Sequence, residues 1–323
     1  MRAIVYHRYG PPDVLQLEEV EKPTAGDSEV LVRVRAASVN PYDWHFMRGE
    51  PYLLRLMAGP RKPKYTQLGV DVAGEVEGVG KNVPHFKPGD HVFGMCRGAF
   101  AEYARAAESA LVLKPENVTF EQAASVGIAA LTALQGLRDK GHVQPGQRVL
   151  VNGAAGGVGT YAVQISKSFG ADVTGVCSSR NVEMVRSIGA DRVIDYTRED
   201  FTKNGQRHDI LLDCVGNRSL AACRGVLSPT GIYVGAGGTA GRWMIGPLVR
   251  SITAPALSLF GSRKFVSLLA KSSKEDLTLM HELLKAGKVT PIIDRQYTLS
   301  EVHEAIRYLE EGHARGKVVI SLE

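Results

Sequence analysis

The sequence predicts an α/β fold in which a mainly β part precedes a doubly wound parallel sheet. Three observations carry this. An apolar strand at 149–152 runs into glycines at 153, 156 and 159 and then into a helical pattern at Ala162, Val163, Ile165 and Phe169. Strand and helix patterns alternate from there to about 270, as in a parallel sheet with crossover helices. Residues 1–120 instead show valine-rich period-two runs cut by glycine and proline.

The elements follow in order. Residues 1–6 read as a strand, 29–38 as an alternating strand rich in valine, 69–80 as a second strand region, and 91–93 and 101–106 as shorter ones. Lys87-Pro88-Gly89-Asp90 is turn chemistry. Residues 121–140 switch to helical spacing through Ala123, Ala124, Val126, Leu131, Leu134 and Leu137. Gln144-Pro145-Gly146-Gln147 is the turn into the parallel sheet, whose further strands are 172–177, 192–195, 209–214 and 231–234, with a helix at 181–188. Residues 274–286 and 300–311 are amphipathic helices, and 317–322 is a last strand. The segment 243–265 is apolar and contains Pro247, Pro255, Phe260 and Phe265. A substrate entrance, an interface and a buried connection stay open for it.

A strand turning sharply into a helix aims backbone N–H groups and the positive end of the helix dipole at one point, which suits a pyrophosphate. Gly153 permits the turn, Ala155, Gly156, Gly157 and Val158 line the approach, and Gly159 lets the helix pack close. This is the dinucleotide-binding arrangement of a Rossmann domain. NAD sites place an acid at the end of the following strand, but here Ser178-Ser179-Arg180 stand there. Two hydroxyls and a guanidinium suit a 2′-phosphate, so NADPH is the expected cofactor. Ligands of parallel sheets sit at strand C-termini, which places Tyr196, Cys214, Val215, Gly235, Gly237 and Gly238 near it. Tyr196 covers the adenine, touches a phosphate, or is a packed loop aromatic; the residues leave this open.

The 323 residues suffice for two domains. The net charge of +5 and pI near 8.9 come from scattered basic residues, so nucleic acid is not required as a partner. Cys96, Cys177, Cys214 and Cys223 show no paired spacing, which suits a reducing, cytoplasmic setting. The strand pattern at 1–6 leads us to expect no signal or transit segment, and no apolar run has membrane-spanning length.

Several ordered motifs then match a known family: residues 9–15 (Tyr9 to Leu15), 37–43 (Ala37 to Asp43), 69–76 (Gly69 to Val76), the loop 154–159, 188–191, 193–196 and 316–320. Over its whole length the chain resembles the medium-chain dehydrogenase/reductase superfamily, in its zinc-free quinone oxidoreductase, zeta-crystallin-like branch. The resemblance implies a GroES-like catalytic domain at 1–121 and 288–323, with the Rossmann domain at 122–287 between. Zinc-dependent members carry Cys where Asn40 stands, Gly-His-Glu where Gly69-Val70-Asp71 stand, and a four-cysteine lobe that is missing between 90 and 112. No metal is therefore expected.

The resemblance further implies NADPH-dependent reduction of quinones or α,β-unsaturated carbonyls, small-molecule substrates, and a homodimer joined edge to edge through 264–269. Asn40 is expected at the reacting atoms, donating to the developing oxyanion or holding the cofactor, or else serving as the N-cap of the helix at 41–46. Tyr52 is the candidate proton donor, and Tyr42 and Trp44 candidate pocket walls. Thr132, Phe265 and Lys317 are candidate cofactor contacts; a helix-interior hydroxyl and a solvated strand-end charge are the plain readings of Thr132 and Lys317. Two alternatives stay open: an enoyl-thioester reductase, for which Arg55, Arg61 and Lys62 would meet a CoA substrate, and a non-enzymatic NADPH-binding scaffold or stress protein.

Overall fold

The structure is a computed structural model and describes residues 1–237 and 262–322. The expectations for Gly238 and for most of the 243–265 segment lie outside the described residues. The chain forms two compact units. The first comprises 1–129, 272–287 and 291–323, and the second 130–271 and 288–290.

The first unit begins with β1 (Arg2–Val5), β2 (Gln16–Glu19), β3 (Glu29–Val39), β4 (Asp71–Val79), β5 (His91–Met95), β6 (Tyr103–Ala107) and β7 (Leu111–Leu113). The second carries β8 (Arg148–Asn152), β9 (Asp172–Cys177), β10 (Arg192–Asp195), β11 (His208–Asp213), β12 (Leu227–Gly235) and β13 (Lys264–Ser267). The chain then returns to the first unit with β14 (Ile293–Thr298) and β15 (Lys317–Ser321).

In the first unit β1 and β2 form a two-stranded sheet, and the other described strands form a second sheet in the order β14-β15-β3-β4-β5-β7, with β6 also on β3. Long β3 alternates its buried valines at 30, 32 and 34, as a half-buried strand must. Its end is fixed by pairing on both sides: Val39 lies opposite Val318 and Ser38 opposite Asp71. This register brings residues from three distant stretches of chain into one row. The core beneath it contains Val32, Val72, Val92, Phe100, Ile306 and Val318.

The helix Lys274–Lys285 belongs to this unit, whereas the sequence boundary at 287 places it with the Rossmann domain. The reason is its apolar face. Leu277, Met280 and Leu284 are buried, Asn117 Nδ2 donates to Leu284 O at 3.0 Å, and His281 Nδ1 lies 2.7 Å from Leu113 O. The single helix expected over 121–140 is divided. Thr119 caps Phe120–Ala124 in a capping box with Gln122, and a second helix, Gly127–Gln135, runs into one π-turn at Gly136–Lys140.

The second unit is a parallel sheet in the order β10-β9-β8-β11-β12-β13. Its order reverses between β8 and β11, the place where open α/β sheets bind ligands. The strand C-termini there carry the glycine loop after β8 and residues 214–217 after β11. Strand β13 is the last of the sheet among the described residues. Phe265 on it is 1 % exposed and stacks on Tyr233, centroids 5.5 Å apart.

Truncating a core side chain leaves a cavity. Leu277→Ala is expected to lower the urea-unfolding free energy of the intact chain by about 2–5 kcal/mol. A loss below about 1 kcal/mol would mean that this helix is not packed as described.

Candidate functional site

In the second unit, the helix Gly157–Ser168 starts directly after the glycine turn. Its first-turn N–H groups have no intrahelical acceptor. Gly153 sits at φ +87°, and a Cβ there would come 2.7 Å from Val215 Cγ2. A Cβ on Gly159 would lie 2.0 Å from Gly153 O, so the fold itself demands glycine at both positions. Gly156 is different. It has extended backbone, φ −84° and ψ 177°, and a Cβ would meet only Gly153 O at 3.5 Å. Neither packing nor dihedral requires glycine there, and the missing side chain leaves the helix end open to an approaching ligand. These residues fit a dinucleotide pyrophosphate.

Residues Ser178, Ser179 and Arg180 lie at the end of β9, as expected, but they have an acidic neighbour. Ser179 Oγ donates to Asp195 Oδ2 at 2.6 Å, and Thr197 Oγ1 donates to Asp195 Oδ1 at 2.7 Å. The Ser179 hydrogen bond comes first among the causes holding the Asp195 carboxyl below the usual range. This acid ends β10, the strand paired with β9, so the spacing along β9 alone does not reveal it. Tyr196 follows it, half exposed, with its N–H on Cys177 O.

A buried carboxylate, Asp213, organises the other side of the loop. It is fully buried and accepts from Asn152 Nδ2 at 2.8 Å, Gly216 N at 2.8 Å, Val215 N at 3.2 Å and Tyr233 Oη at 2.9 Å. These bonds fix Cys214 and Val215 against the glycine turn. Gly237 packs so closely on this stretch that a Cβ would reach 2.3 Å from Cys214 O, while at Gly235 a Cβ would press on the Tyr233 ring at 3.3 Å.

The first unit holds a buried polar cluster. Lys317 Nζ donates to Asn40 Oδ1 at 2.6 Å and lies 3.5 Å from Asp71 Oδ2. Asn40 Nδ2 donates to Asp71 Oδ2 at 2.9 Å and to Ser38 O at 3.2 Å. Asp71 Oδ2 also accepts from Ser38 Oγ at 2.8 Å, and its Oδ1 from Ile128 N at 2.9 Å. A Cβ on Gly127 would lie 2.0 Å from Asp71 Oδ1, so only glycine lets that helix end sit here. Asp43 accepts from Asn40 N at 2.8 Å and from Gly69 N at 2.9 Å.

Two sequence expectations change at this cluster. Lys317 is 3 % exposed, not a solvated strand-end charge, and burial pulls its ammonium below the usual lysine range. Asn40 stands at the N-cap position, but its side-chain amide is committed to Ser38, Asp71 and Lys317; the cap contact comes from the Asp43 carboxylate on the Asn40 N–H. Both Asn40 amide hydrogens are thus in use, and donation to an oxyanion would require breaking one of these bonds. Burial pushes the Asp43 carboxyl up to about 7, against the pull of its two N–H donors.

The remaining candidates are placed less tightly. Tyr52 is half-buried, with the Arg55 guanidinium 4.8 Å from its ring centroid. Arg55 is itself held by Gly49 O and Arg48 O. Tyr42 is 41 % exposed and stacks on Phe46 at 4.2 Å, while Trp44 packs against the core of the first unit. Thr132 is a buried helix position in the second unit. Among the described residues no three His, Cys, Asp or Glu side chains converge as a metal site would require.

Residues 26–116 match the alcohol dehydrogenase GroES-like domain family, and residues 188–320 match the zinc-binding dehydrogenase family. The chain is 34 % identical over 338 residues to a chloroplastic quinone oxidoreductase of Triphysaria versicolor, covering 99 % of this chain and 98 % of that protein. It is 33 % identical to the chloroplastic NADPH-dependent alkenal/one oxidoreductase of Arabidopsis thaliana, over 99 % of this chain and 79 % of that protein. The solved quinone oxidoreductase of Coxiella burnetii matches with a TM-score of 0.87 at 31 % identity, covering 100 % of this chain and 99 % of that one. A GroES-like first unit and a Rossmann second unit are the fold that these relatives share.

Two predictions follow from this geometry. Gly156→Ala should leave the unfolding free energy within about 1 kcal/mol of wild type, yet weaken dinucleotide binding by roughly ten-fold or more in a fluorescence titration. Equal affinity would show that no ligand approaches this glycine. The second concerns pH. A carboxyl whose folded value lies above its unfolded value contributes stability that is complete below about 4 and lost as pH rises through about 7. Asp43→Asn should therefore cost more, about 1–3 kcal/mol, at pH 5 than at pH 8. Comparing the two proteins cancels other groups, such as His208, whose lowered value makes stability rise with pH above about 4. A cost independent of pH would contradict the assignment.

Proposed function

The chain belongs to the zinc-free quinone oxidoreductase branch of the medium-chain dehydrogenase/reductase superfamily, and from that membership we propose that it reduces quinones or α,β-unsaturated carbonyl compounds with NADPH. It is an oxidoreductase; the acceptor and the cofactor choice are the proposal. The observation that carries the chemistry is the buried Lys317, whose charge is balanced by Asp71 and whose direction is set by Asn40.

A bound nicotinamide supplies the hydride. Addition of hydride to a carbon conjugated with a carbonyl leaves negative charge on oxygen, which must be stabilised and protonated. An ammonium in a dry site does this far better than one in water. Lowering the Lys317 pKa also makes it a readier proton donor. Asn40 acts as a positioning residue that holds the Lys317 ammonium, and Tyr52 is the second candidate donor. Val70 stands where a zinc-dependent relative has its histidine and offers no lone pair to a metal. In the second unit, Gly156, Gly157 and Val158 would hold the pyrophosphate, and Ser178, Ser179 and Arg180 the 2′-phosphate. Asp195 does not oppose this strongly, because Ser179 and Thr197 donate to it and Arg198 Nε lies 3.6 Å away.

The proposed homodimer pairs β13 of two copies, since an edge strand leaves unpaired N–H and C=O groups. The four cysteines are free of disulfides, which supports a reducing compartment, and no described helix is long and apolar enough to cross a membrane.

NADPH consumption against a panel of quinones, enones, enoyl thioesters and simple alcohols tests the reading. Quinones or enones should turn over and cyclohexanol should not. Activity confined to enoyl thioesters would favour the thioester reductase. Tight NADPH binding without turnover of any acceptor would favour the scaffold. Arg180→Ala should weaken NADPH by roughly ten-fold or more and leave NADH nearly unchanged. Equal losses for both would remove the 2′-phosphate assignment.

A further inference from the structure

At the end of β9 the hydroxyl protons fall one short of the contacts they serve. Asp195 ends β10 and lies opposite Cys177 at the end of β9, so its carboxylate stands beside the stretch Ser178-Ser179-Arg180. Ser179 Oγ donates to Asp195 Oδ2 at 2.6 Å, and Thr197 Oγ1 donates to Oδ1 at 2.7 Å. The two hydroxyl oxygens also lie 2.9 Å from each other. Each hydroxyl has one proton and two lone pairs. Three oxygen–oxygen contacts of hydrogen-bond length are thus served by two protons. The carboxylate supplies none, because the Ser179 bond, together with those from Thr197, holds its carboxyl below the usual range. Thr197 N is a further donor, but it too is spent on Asp195 Oδ1, at 3.0 Å.

With both protons on Asp195, Ser179 Oγ and Thr197 Oγ1 present only lone pairs to each other and to the solvent. Both residues are exposed, so a ligand reaches them. Such a pair is completed by a donor. A ribose 2′-hydroxyl has a proton to give, whereas a 2′-phosphate dianion brings acceptor oxygens alone. For Ser179 to hold a phosphate, it must first withdraw its proton from a charge-assisted bond, a kind about twice as strong as a neutral one. Ser178 is not tied in this way: its Oγ accepts from Asn181 Nδ2 at 3.2 Å, and its proton can serve a phosphate beside Arg180. The Asp195 charge itself is offset by its donors and by Arg198, so its influence runs through the direction of the hydroxyl protons.

We propose that Asp195 determines cofactor specificity: by turning the Ser179 and Thr197 hydroxyls into acceptors it favours the 2′-hydroxyl of NADH, against the pull of Arg180 on the 2′-phosphate of NADPH, so that the chain takes both cofactors. The inference rests on the dinucleotide reading of the glycine loop. Asp195 is a positioning residue, acting on the ribose through two hydroxyls and from the neighbouring strand, whereas the acid of an NAD site stands at the end of the strand that follows the glycine loop and takes the ribose directly.

The test is fluorescence titration of NADPH and of NADH into the full chain, as wild type, Asp195→Asn and Thr197→Val. Asparagine keeps the shape, but its amide nitrogen donates and so returns a hydroxyl proton to the ligand. Asp195→Asn is expected to raise the ratio of the NADH to the NADPH dissociation constant by roughly ten-fold or more. Thr197→Val keeps the Asp195 charge and removes one acceptor. It should weaken NADH by roughly three-fold or more without weakening NADPH. Damage to the local structure would weaken both cofactors together, so an unchanged ratio in Asp195→Asn overturns the proposal. Unchanged NADH affinity in Thr197→Val overturns it too, since Asp195 would then act by charge alone. If neither cofactor binds the wild-type chain, the dinucleotide reading falls and this inference with it; NADPH binding with an unmoved ratio removes the inference alone.

Discussion

The first unit depends on the buried carboxylate of Asp71. It lies on β4, and its two oxygens accept from Ser38 on β3, from Asn40 just beyond β3, and from the backbone N–H of Ile128, with Lys317 from β15 at 3.5 Å. Residues nearly 280 positions apart are thereby held in one cluster. A charge with no access to water is costly unless opposed and hydrogen-bonded. Each partner therefore constrains the others. Lys317 needs Asp71 as counter-charge, Asn40 needs both to orient its amide, and Gly127 must lack a side chain to let the helix reach Asp71.

The second unit repeats the device with a different outcome. Asp213 is also a fully buried carboxylate, and it accepts from an amide, a phenol and two backbone N–H groups. It sets the shape of a loop. The result is a rigid cradle beside the glycine turn. Preorganised N–H groups of this kind bind an anion without first having to be ordered.

Much of the fold was legible because its signals are local. Strands β3, β10 and β15 and the glycine loop follow from alternation, apolar runs and turn chemistry, and all lie within a residue or two of where the sequence places them. The fate of the helix Lys274–Lys285 was not legible. Amphipathic spacing shows that a helix buries one face but not which sheet covers it. The same limit applied to the site. Lys317 and Asn40 were identified through the family resemblance, yet their mutual hydrogen bond depends on the β3–β15 register, which no local pattern encodes. Asp71 and Asp43 fall inside the motifs that carry the family resemblance, but the burial that makes them central depends on the fold. Asp195 was missed because the acid reaches Ser179 from the neighbouring strand rather than from the end of its own.

The central claim is that the buried Lys317 charge stabilises the reaction rather than only the fold. Single-turnover hydride transfer to a quinone, measured by stopped flow on Lys317→Met protein saturated with NADPH, tests it most directly. The result is normalised to the folded fraction and compared with Lys317→Arg. The account predicts a rate at least roughly ten-fold below wild type for Lys317→Met, with partial recovery in Lys317→Arg and little change in NADPH affinity. A Lys317→Met protein that is less stable but transfers hydride at the wild-type rate would contradict it.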